Sequence, residues 1–309
     1  MVSKIFNKGV IIMFRGLLNY KLNYAASIFL IVLISGFYYA ASGFAAENSL
    51  LVMTGAASKP AMEELAKEYE KNTGVKIELN INGSGVLLSQ IKLTEKGDIY
   101  FPGSVDFIEK AKRENLIVET TETKIVYLVP AINVKKGNPK NIKSLKDLCR
   151  PGIKLVIANP EMVCLGVFAA ELAEHNFNAE EKAAFRKNII NYVESCEKTA
   201  NVISLDAADA VIGWSVFDNW DPQRIETVKI NPDEVIRISY LSAAVTKYCK
   251  NTQLALNFIE YMKSPDGGMK FFEKYGYFTT SQDALKYLGK EKPVGGDEYI
   301  VPQEWMFKK

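Results

Sequence analysis

The sequence predicts an α/β protein whose sheets are mostly parallel. Its 309 residues are 48% apolar and 24% charged, a balance typical of a globular chain that buries its own core. A short apolar run at Leu50 to Thr54 is followed by an amphipathic helix and then by an alternating strand at Val75 to Ile81. A second loop and helix follow that strand directly. Strands that alternate with helices in this way favour parallel pairing.

The first 46 residues have the pattern of an export signal. Residues 22–46 contain no charged side chain and include the apolar run Ile28 to Ile34. Four basic residues and no acidic residue precede this stretch, and small residues lead from it to Glu47. We therefore predict export to the periplasm or another extracytoplasmic compartment, with cleavage near Ala45. The alternative is an uncleaved membrane anchor, since an apolar stretch of this length can span a bilayer.

Charge limits the kinds of partner that the chain can have. The whole sequence has a formal net charge of +2, and removal of residues 1–46 takes away four basic residues and no acidic one, which leaves −2. A nearly neutral protein does not have the concentrated positive charge typical of nucleic-acid-binding proteins. An anion bound by this protein would be held by hydrogen bonds and backbone dipoles.

Strand and helix patterns continue along the rest of the chain. The predicted elements of the first part are a helix from Ser58 to Asn72, the strand already named, a helix from Ser84 to Gly97, a strand from Asp98 to Phe101 and a helix from Val105 to Glu114. The predicted elements of the second part are an extended run from Ile125 to Val134, a strand from Lys154 to Ala158, helices from Leu165 to Glu174 and from Ser195 to Leu205, a strand from Asp209 to Trp214, an extended run from Ile236 to Val245, and helices from Leu254 to Met262 and from Gly268 to Lys274. Long extended runs of this kind can connect two lobes.

Two loops have the strongest functional signal. Thr54-Gly55-Ala56-Ala57-Ser58 and Asn82-Gly83-Ser84-Gly85 each leave a strand and open a helix. The first N–H groups of a helix have no acceptor within the helix, and the helix dipole adds a partial positive charge there. Glycine and alanine let a bound group approach the backbone closely. Together the loops predict an anion site, although each serine taken alone is more typical of a simple helix N-cap.

The cysteine and histidine patterns favour neither an enzyme nor a metal cluster. The four cysteines are widely spaced and include no Cys-x-x-Cys pair: they are Cys149, Cys164, Cys196 and Cys249. One or two disulfides and free buried thiols both agree with this spacing. His175 is the only histidine and lies on a predicted helix, where it is expected to be exposed to solvent. It has no evident serine or cysteine partner for nucleophilic catalysis.

The folded part of the chain resembles the periplasmic molybdate-binding proteins of ATP-driven uptake systems, which have the type II solute-binding fold. The resemblance is carried, in family order, by Gly55-Ala56-Ala57-Ser58, Asn82-Gly83-Ser84-Gly85, Asp98-Ile99-Tyr100-Phe101, Asn159-Pro160-Glu161, Asp209 to Trp214, Ser264-Pro265 and Phe272 to Gly276. Each motif alone is weak, but the ordered set spans almost the whole folded chain.

This resemblance implies two lobes, each a mostly parallel sheet flanked by helices, with two hinge crossings between them. The implied boundaries are residues 47–128 and 238–309 for lobe 1 and residues 129–237 for lobe 2. It also implies a monomer without a cofactor that captures molybdate between the lobes and delivers it to the membrane permease of an ABC transporter. The alternatives are a tungstate-specific or other oxyanion-binding protein, a membrane-tethered sensor, and an enzyme on the same fold.

The resemblance further implies five ligand-binding positions. They are the hydroxyls and amides of Ser58 and Ser84, the backbone amides of Leu165 and Cys196, and the side chain of Trp214. Trp214 departs from the tyrosine that is usual in the family, because an indole offers one N–H donor and no acceptor. A site built only from donors can satisfy every oxygen of a tetrahedral dianion and rejects anions that carry a proton. Direct metal coordination by protein ligands is not expected, although Glu161 and Asp209 lie near enough in sequence to be the alternative.

Overall fold

Two five-stranded sheets flanked by helices form the part of the protein that the computed structural model describes, residues 48–306. The α/β prediction with two lobes is confirmed. The predicted export signal in residues 1–46 lies outside the described residues. No helix between residues 48 and 306 has the length and apolar character needed to cross a membrane.

The first sheet, in lobe 1, has the strand order β2-β1-β3-β10-β4. Its strands are β1 (Ser49–Gly55), β2 (Lys76–Asn82), β3 (Ile99–Phe101), β4 (Thr123–Leu128) and β10 (Ser239–Val245). β1 pairs in parallel with β2 and β3, whereas β10 is antiparallel to both of its neighbours. Four of the five strands therefore run in one direction.

The second sheet, in lobe 2, repeats this arrangement with the order β7-β6-β8-β5-β9. Its strands are β5 (Pro130–Lys135), β6 (Leu155–Ala158), β7 (Ile189–Val193), β8 (Ala210–Trp214) and β9 (Ile225–Lys229). β6 is parallel to β7 and β8, and β5 is antiparallel to β8 and β9. The strands of both sheets are rich in apolar residues because helices cover their faces.

Helices follow most of the strands. In chain order they are α1 (Lys59–Thr73), α2 (Ser84–Thr94), α3 (Val105–Arg113), α4 (Cys164–Asn176), α5 (Ala179–Asn188), α6 (Cys196–Ser204), α7 (Phe217–Trp220), α8 (Thr252–Lys263), α9 (Lys270–Lys274) and α10 (Ser281–Leu288). Short 3-10 turns occupy Ala56–Ser58, Glu119–Thr121, Leu145–Cys149 and Gln303–Trp305, and a π-helical turn occupies Pro265–Met269. α1 shows why these segments are helical: its apolar positions are buried, a proline stands in its first turn, and Gly74 ends it with φ 72°.

The predicted elements correspond to observed ones with two corrections. The third strand begins at Ile99, one residue after the predicted start at Asp98, although the backbone of Asp98 is still bonded to Leu51 and Thr246. Leu205 does not belong to the apolar face of α6, because it follows the last helical residue and is 73% exposed. His175 is exposed, as predicted.

The chain passes between the two sheets at two points. The predicted extended run Ile125 to Val134 is divided between β4 in lobe 1 and β5 in lobe 2, and the chain returns between β9 and β10. The implied boundary residues stay a prediction.

The carboxyl-terminal segment adds a further connection between the lobes. The backbone N–H of Tyr299 donates to Asp106 on α3 at 3.1 Å, and the indole of Trp305 donates to Glu174 on α4 at 2.7 Å. Trp305 is fully buried and packs edge-on against Phe185 of α5. Residues 299–305 therefore cross from lobe 1 to lobe 2.

Candidate functional site

Strand order brings four helix amino termini to facing edges of the two sheets. In lobe 1, β1 leads through Ala56–Ser58 into α1, and the neighbouring parallel strand β2 leads into α2. In lobe 2, the parallel neighbours β6 and β7 lead into α4 and α6, and the N–H of Asn159 donates to the carbonyl of Val193 at 2.8 Å. Because the carboxyl ends of parallel strands lie at one edge of a sheet, each pair of helices begins side by side.

Ser58 and Ser84 are buried, but neither hydroxyl caps its helix. The hydroxyl of Ser58 donates to the carbonyl of Gly55 at 3.0 Å. Ser84 is the first residue of α2, and its Oγ accepts the N–H of Gly103 at 2.9 Å. The N-cap interpretation is therefore wrong for both side chains. The Ser58 hydroxyl is instead bonded within its own loop, and that of Ser84 is bonded to the loop after β3.

The two lobes touch each other through these loops. The N–H of Gly85 in lobe 1 donates to the carbonyl of Met162 in lobe 2 at 2.9 Å. Lys59, the first residue of α1, forms an ion pair with Glu197 of α6, and this hydrogen bond raises the pKa of Lys59. The serine loops therefore face the amino termini of α4 and α6 at close range.

Leu165 and Cys196, whose backbone amides are predicted to bind the ligand, lie in the first turns of α4 and α6. Leu165 is fully buried, and its side chain is part of the hydrophobic core. First-turn N–H groups of both helices have no acceptor within their own helix.

Two thiols lie at the starts of these helices, since Cys164 begins α4 and Cys196 begins α6. The Sγ atoms of Cys164 and Cys196 are 3.4 Å apart, and a side-chain carbon added at Gly103 would lie 2.8 Å from Cys164 Sγ and 3.5 Å from Ser84 Oγ. Burial raises the pKa of the Cys164 thiol well above its usual range, so this thiol is protonated at neutral pH. A neutral thiol is a weak hydrogen-bond donor.

Trp214 ends β8 and is fully buried. Its ring packs edge-on against Phe168 on α4, with centroids 5.0 Å apart. Its indole N–H has no hydrogen-bond acceptor among the described residues, and the same holds for the hydroxyls of Ser215 at the end of β8 and Thr54 near the end of β1. Buried polar groups are nearly always paired, so this group of unpartnered atoms at strand ends is unusual.

Asp209 and Glu161, the two carboxylates considered as possible metal ligands, differ in their positions. Asp209 precedes β8 and so lies at the end of that strand opposite Trp214, where it accepts the N–H of Lys154 at 2.8 Å. Glu161 has an exposed side chain in the loop before α4. Among the described residues, no three His, Cys, Asp or Glu side chains are grouped so that they could hold a metal ion.

Two tyrosines that the sequence analysis did not single out hold the serine loops in place. Tyr100 Oη donates to the carbonyl of Ser84 at 2.9 Å, and Tyr277 Oη donates to the carbonyl of Ala57 at 2.5 Å. Burial raises the pKa of both phenols well above the usual range, so both remain donors. Tyr100 is part of a quoted motif, but only the fold shows that its hydroxyl reaches Ser84.

The family follows from a match along most of the chain. The profile of the bacterial extracellular solute-binding proteins matches residues 50–278. The chain belongs to this family. It is a solute-binding protein with the type II fold, and the family description places its members outside the cytoplasm.

Curated relatives agree with this assignment at low identity. A Haemophilus influenzae protein named as a binding protein is 28% identical over 235 residues, which cover 74% of this chain and 90% of the relative. The molybdate-binding protein ModA of Escherichia coli is 22% identical over 251 residues, 78% of this chain and 93% of the relative.

Solved structures share the fold. The periplasmic molybdate-binding protein of Azotobacter vinelandii is similar with a TM-score of 0.64 at 18% identity, covering 75% of this chain and 100% of that one. Peb3 from Campylobacter jejuni is similar with a TM-score of 0.60 at 22% identity and the same coverage, and a Peb3 structure with bound L-phospholactate is similar to the same degree.

Proposed function

We propose that this solute-binding protein captures a tetrahedral oxyanion between its lobes, with molybdate as the first candidate. One observation carries the proposal: four helix amino termini, two from each lobe, face one another around Ser84 and Cys164, and unpartnered polar groups lie at the ends of β1 and β8. Helix amino termini carry N–H donors that have no acceptor within their own helix, which suits an anion.

Charge and hydrogen bonding explain why a dianion fits such a site. A buried dianion is costly unless each oxygen accepts hydrogen bonds. Helix amino termini supply N–H groups and a favourable dipole without a mobile counter-charge. The Ser84 hydroxyl, the first-turn amides and the Trp214 indole are donors from both lobes, so a bound anion would hold the lobes together. The Ser58 hydroxyl already donates to Gly55, so Ser58 would contribute its backbone amide. Ser58, Ser84, Leu165, Cys196 and Trp214 are the proposed ligand-binding residues.

The choice of molybdate rests on the relatives. ModA of Escherichia coli and the Azotobacter vinelandii protein are named for molybdate, whereas a Peb3 structure is named for L-phospholactate. Tungstate is nearly equal to molybdate in size and charge and is the first alternative. A phosphorylated organic acid is the second.

Calorimetric titration of the purified protein tests the proposal directly. We expect heat and saturable one-to-one binding with molybdate and tungstate, and weaker or no binding with sulfate and phosphate. L-phospholactate belongs in the same series. If only L-phospholactate binds, the ligand is a phosphorylated organic acid and not a metal oxyanion. Absence of heat with all five anions would overturn the proposal.

We also propose that the protein is an exported monomer that delivers its ligand to the membrane permease of an ABC transporter. The family description and the predicted signal in residues 1–46 support an extracytoplasmic location. Amino-terminal sequencing of protein recovered from cells should give a first residue near Glu47. An intact amino terminus in the membrane fraction would favour the tethered alternative.

A further inference from the structure

The thiols of Cys164 and Cys196 form a close pair at the cleft. Each cysteine is the first residue of a helix, and the two helices begin side by side because β6 and β7 are parallel neighbours. The Sγ atoms are 3.4 Å apart, and the residues are only 1% and 2% exposed. The fold thus places together two cysteines that are 32 positions apart in the sequence.

One member of the pair, Cys164, lies next to the lobe 1 backbone that is bonded to Ser84. Cys164 Sγ is close to Gly103, whose N–H is bonded to Ser84 Oγ. Cys196 is followed by Glu197, which is paired with Lys59 across the cleft. Any change at the two sulfur atoms therefore alters the wall of lobe 2 that faces Ser84.

We propose that Cys164 and Cys196 are an oxidisable thiol pair, and that their disulfide lowers the affinity of the cleft for its oxyanion. This inference rests on the proposed function. The oxidant is a disulfide of an exchange partner: one cysteine thiolate attacks it and releases one thiol, then the second cysteine thiolate attacks the mixed disulfide and releases the other. One S–S bond forms, one breaks, and the two cysteine protons pass to the released thiols.

Loss of donors explains the lower affinity. In the reduced protein, the raised pKa of Cys164 keeps its thiol protonated, so its S–H can point towards an anion. A disulfide has no S–H, and its lone pairs face the anion oxygens instead. The bond would also draw the starts of α4 and α6 towards each other and shift their first-turn amides.

Burial makes the reaction depend on lobe opening. With the lobes in contact, both thiols are shielded from an exchange partner, and a protonated thiol is a poor nucleophile. A ligand that holds the lobes closed should therefore slow oxidation. Thermodynamic linkage requires the same coupling in both directions. If oxidation lowers the ligand affinity by a given factor, bound ligand lowers the equilibrium constant for disulfide formation by the same factor.

The test compares reduced protein with protein treated with oxidised glutathione. Mass spectrometry of alkylated peptides should show a Cys164–Cys196 crosslink and the loss of two hydrogen atoms, more slowly when molybdate is present. Calorimetry should show a dissociation constant for molybdate raised about tenfold or more in the oxidised form and restored by dithiothreitol. Cys164→Ser and Cys196→Ser should abolish the response.

The matched control is the double variant Cys149→Ser with Cys249→Ser, which should respond like the natural protein. Crosslinking without any change in affinity, or no crosslink while Cys149 and Cys249 become glutathionylated, would overturn the inference. If reduced protein binds no oxyanion, the proposed function fails, while the crosslink itself still reports whether the thiol pair oxidises.

Discussion

Ser84 connects three parts of the cleft at the scale of a single residue. Its Oγ accepts the N–H of Gly103, its carbonyl accepts the hydroxyl of Tyr100, and Cys164 Sγ lies on the other side of Gly103. The hydroxyl proton of Ser84 is then free to point into the cleft. The position of the serine follows from the sequence, but its neighbours follow only from the fold.

Ser84→Ala should weaken molybdate binding by about 1.5 to 3 kcal/mol, roughly 10- to 150-fold, because a hydrogen bond to a charged group is lost. Ser89→Ala is the matched control, since the hydroxyl of Ser89 donates within the same helix to the carbonyl of Gly85. Titration calorimetry on both variants gives the comparison. Equal affinities for the two variants would remove Ser84 from the site.

Trp214→Phe should reduce ligand affinity, and it should lower the melting temperature less than Trp305→Phe does, because both changes leave a cavity but only the second also breaks a hydrogen bond. The phenyl ring keeps the contact with Phe168, whereas the indole N–H, which has no partner among the described residues, is removed at little cost to the folded state. Trp305→Phe provides the opposite case, because the N–H of Trp305 donates to Glu174. It should lower the melting temperature and leave affinity unchanged. The reverse pattern would argue against Trp214 as a ligand donor.

At the residue scale, sequence reasoning found the two serine loops because glycine, alanine and serine next to a predicted helix are local signals. It could not pair Cys164 with Cys196, since their proximity depends on the order of β6 and β7 in the sheet. The bond from Gly103 to Ser84 was also missed, because the two residues are 19 positions apart and meet only in the fold. The Ser58 bond to Gly55 is local, and it was missed because a serine at a helix start is more typical of an N-cap.

At the scale of elements, a buried charge cluster joins α3, α4 and the segment before β10. Arg237 Nε lies 3.0 Å from both carboxylate oxygens of Glu171, and its Nη2 donates to Asp106 at 2.8 Å. One guanidinium thus serves two buried carboxylates. Burial raises the pKa of Glu171 above its ordinary value, and the favourable interaction with Arg237 only partly offsets this shift.

This cluster predicts a pH dependence of stability. A carboxyl whose pKa is raised in the folded state binds more protons when folded than when unfolded, so its contribution to stability is complete below the unfolded pKa and is lost as pH rises through the folded pKa. Glu171→Gln removes that contribution. The free energy of unfolding of the variant minus that of the natural protein should become more positive as pH rises across this window. Urea titrations at several pH values measure it, and a difference independent of pH would contradict the assignment.

Element prediction succeeded where periodicity was strong and failed where it was weak. α1 has a continuous buried stripe, so its pattern was evident. α5 buries only Phe185 and Asn188, and the edge strand β9 has mostly intermediate burial. Neither segment shows a clear helical or alternating pattern, because lobe 2 covers only a small part of each. Both were absent from the predicted elements for that reason.

At the scale of the whole molecule, lobe contact depends on how closely the loops approach. A side-chain carbon at Gly85 would lie 2.6 Å from the carbonyl oxygen of Glu161 and 3.0 Å from Met162 Cα, both in lobe 2. Real side-chain carbons do not come this near to backbone atoms, so a methyl group there would hold the lobes apart.

Gly85→Ala should therefore raise the dissociation constant for molybdate by at least about tenfold. The added carbon would also lie 3.0 Å from the ring of Phe107 in lobe 1, so a small loss of thermal stability is expected as well. Ligand should also stabilise the variant less against heat, since that stabilisation follows affinity. Gly137→Ala is the control: its φ of 82° makes alanine strained, but no atom lies within 4 Å of the added carbon. It should lower stability and leave affinity unchanged.

The length of the segment from Tyr299 to Trp305 also limits how far the two lobes can separate. Fully extended, these seven residues span at most roughly 25 Å, and both ends are attached, one to α3 and the other to α4 and α5. While Trp305 stays buried in lobe 2, the two lobes cannot move further apart than the extended length of this segment. The amplitude of opening, and hence the size of solute that can enter, is then set partly by a segment that touches none of the proposed ligand-binding residues.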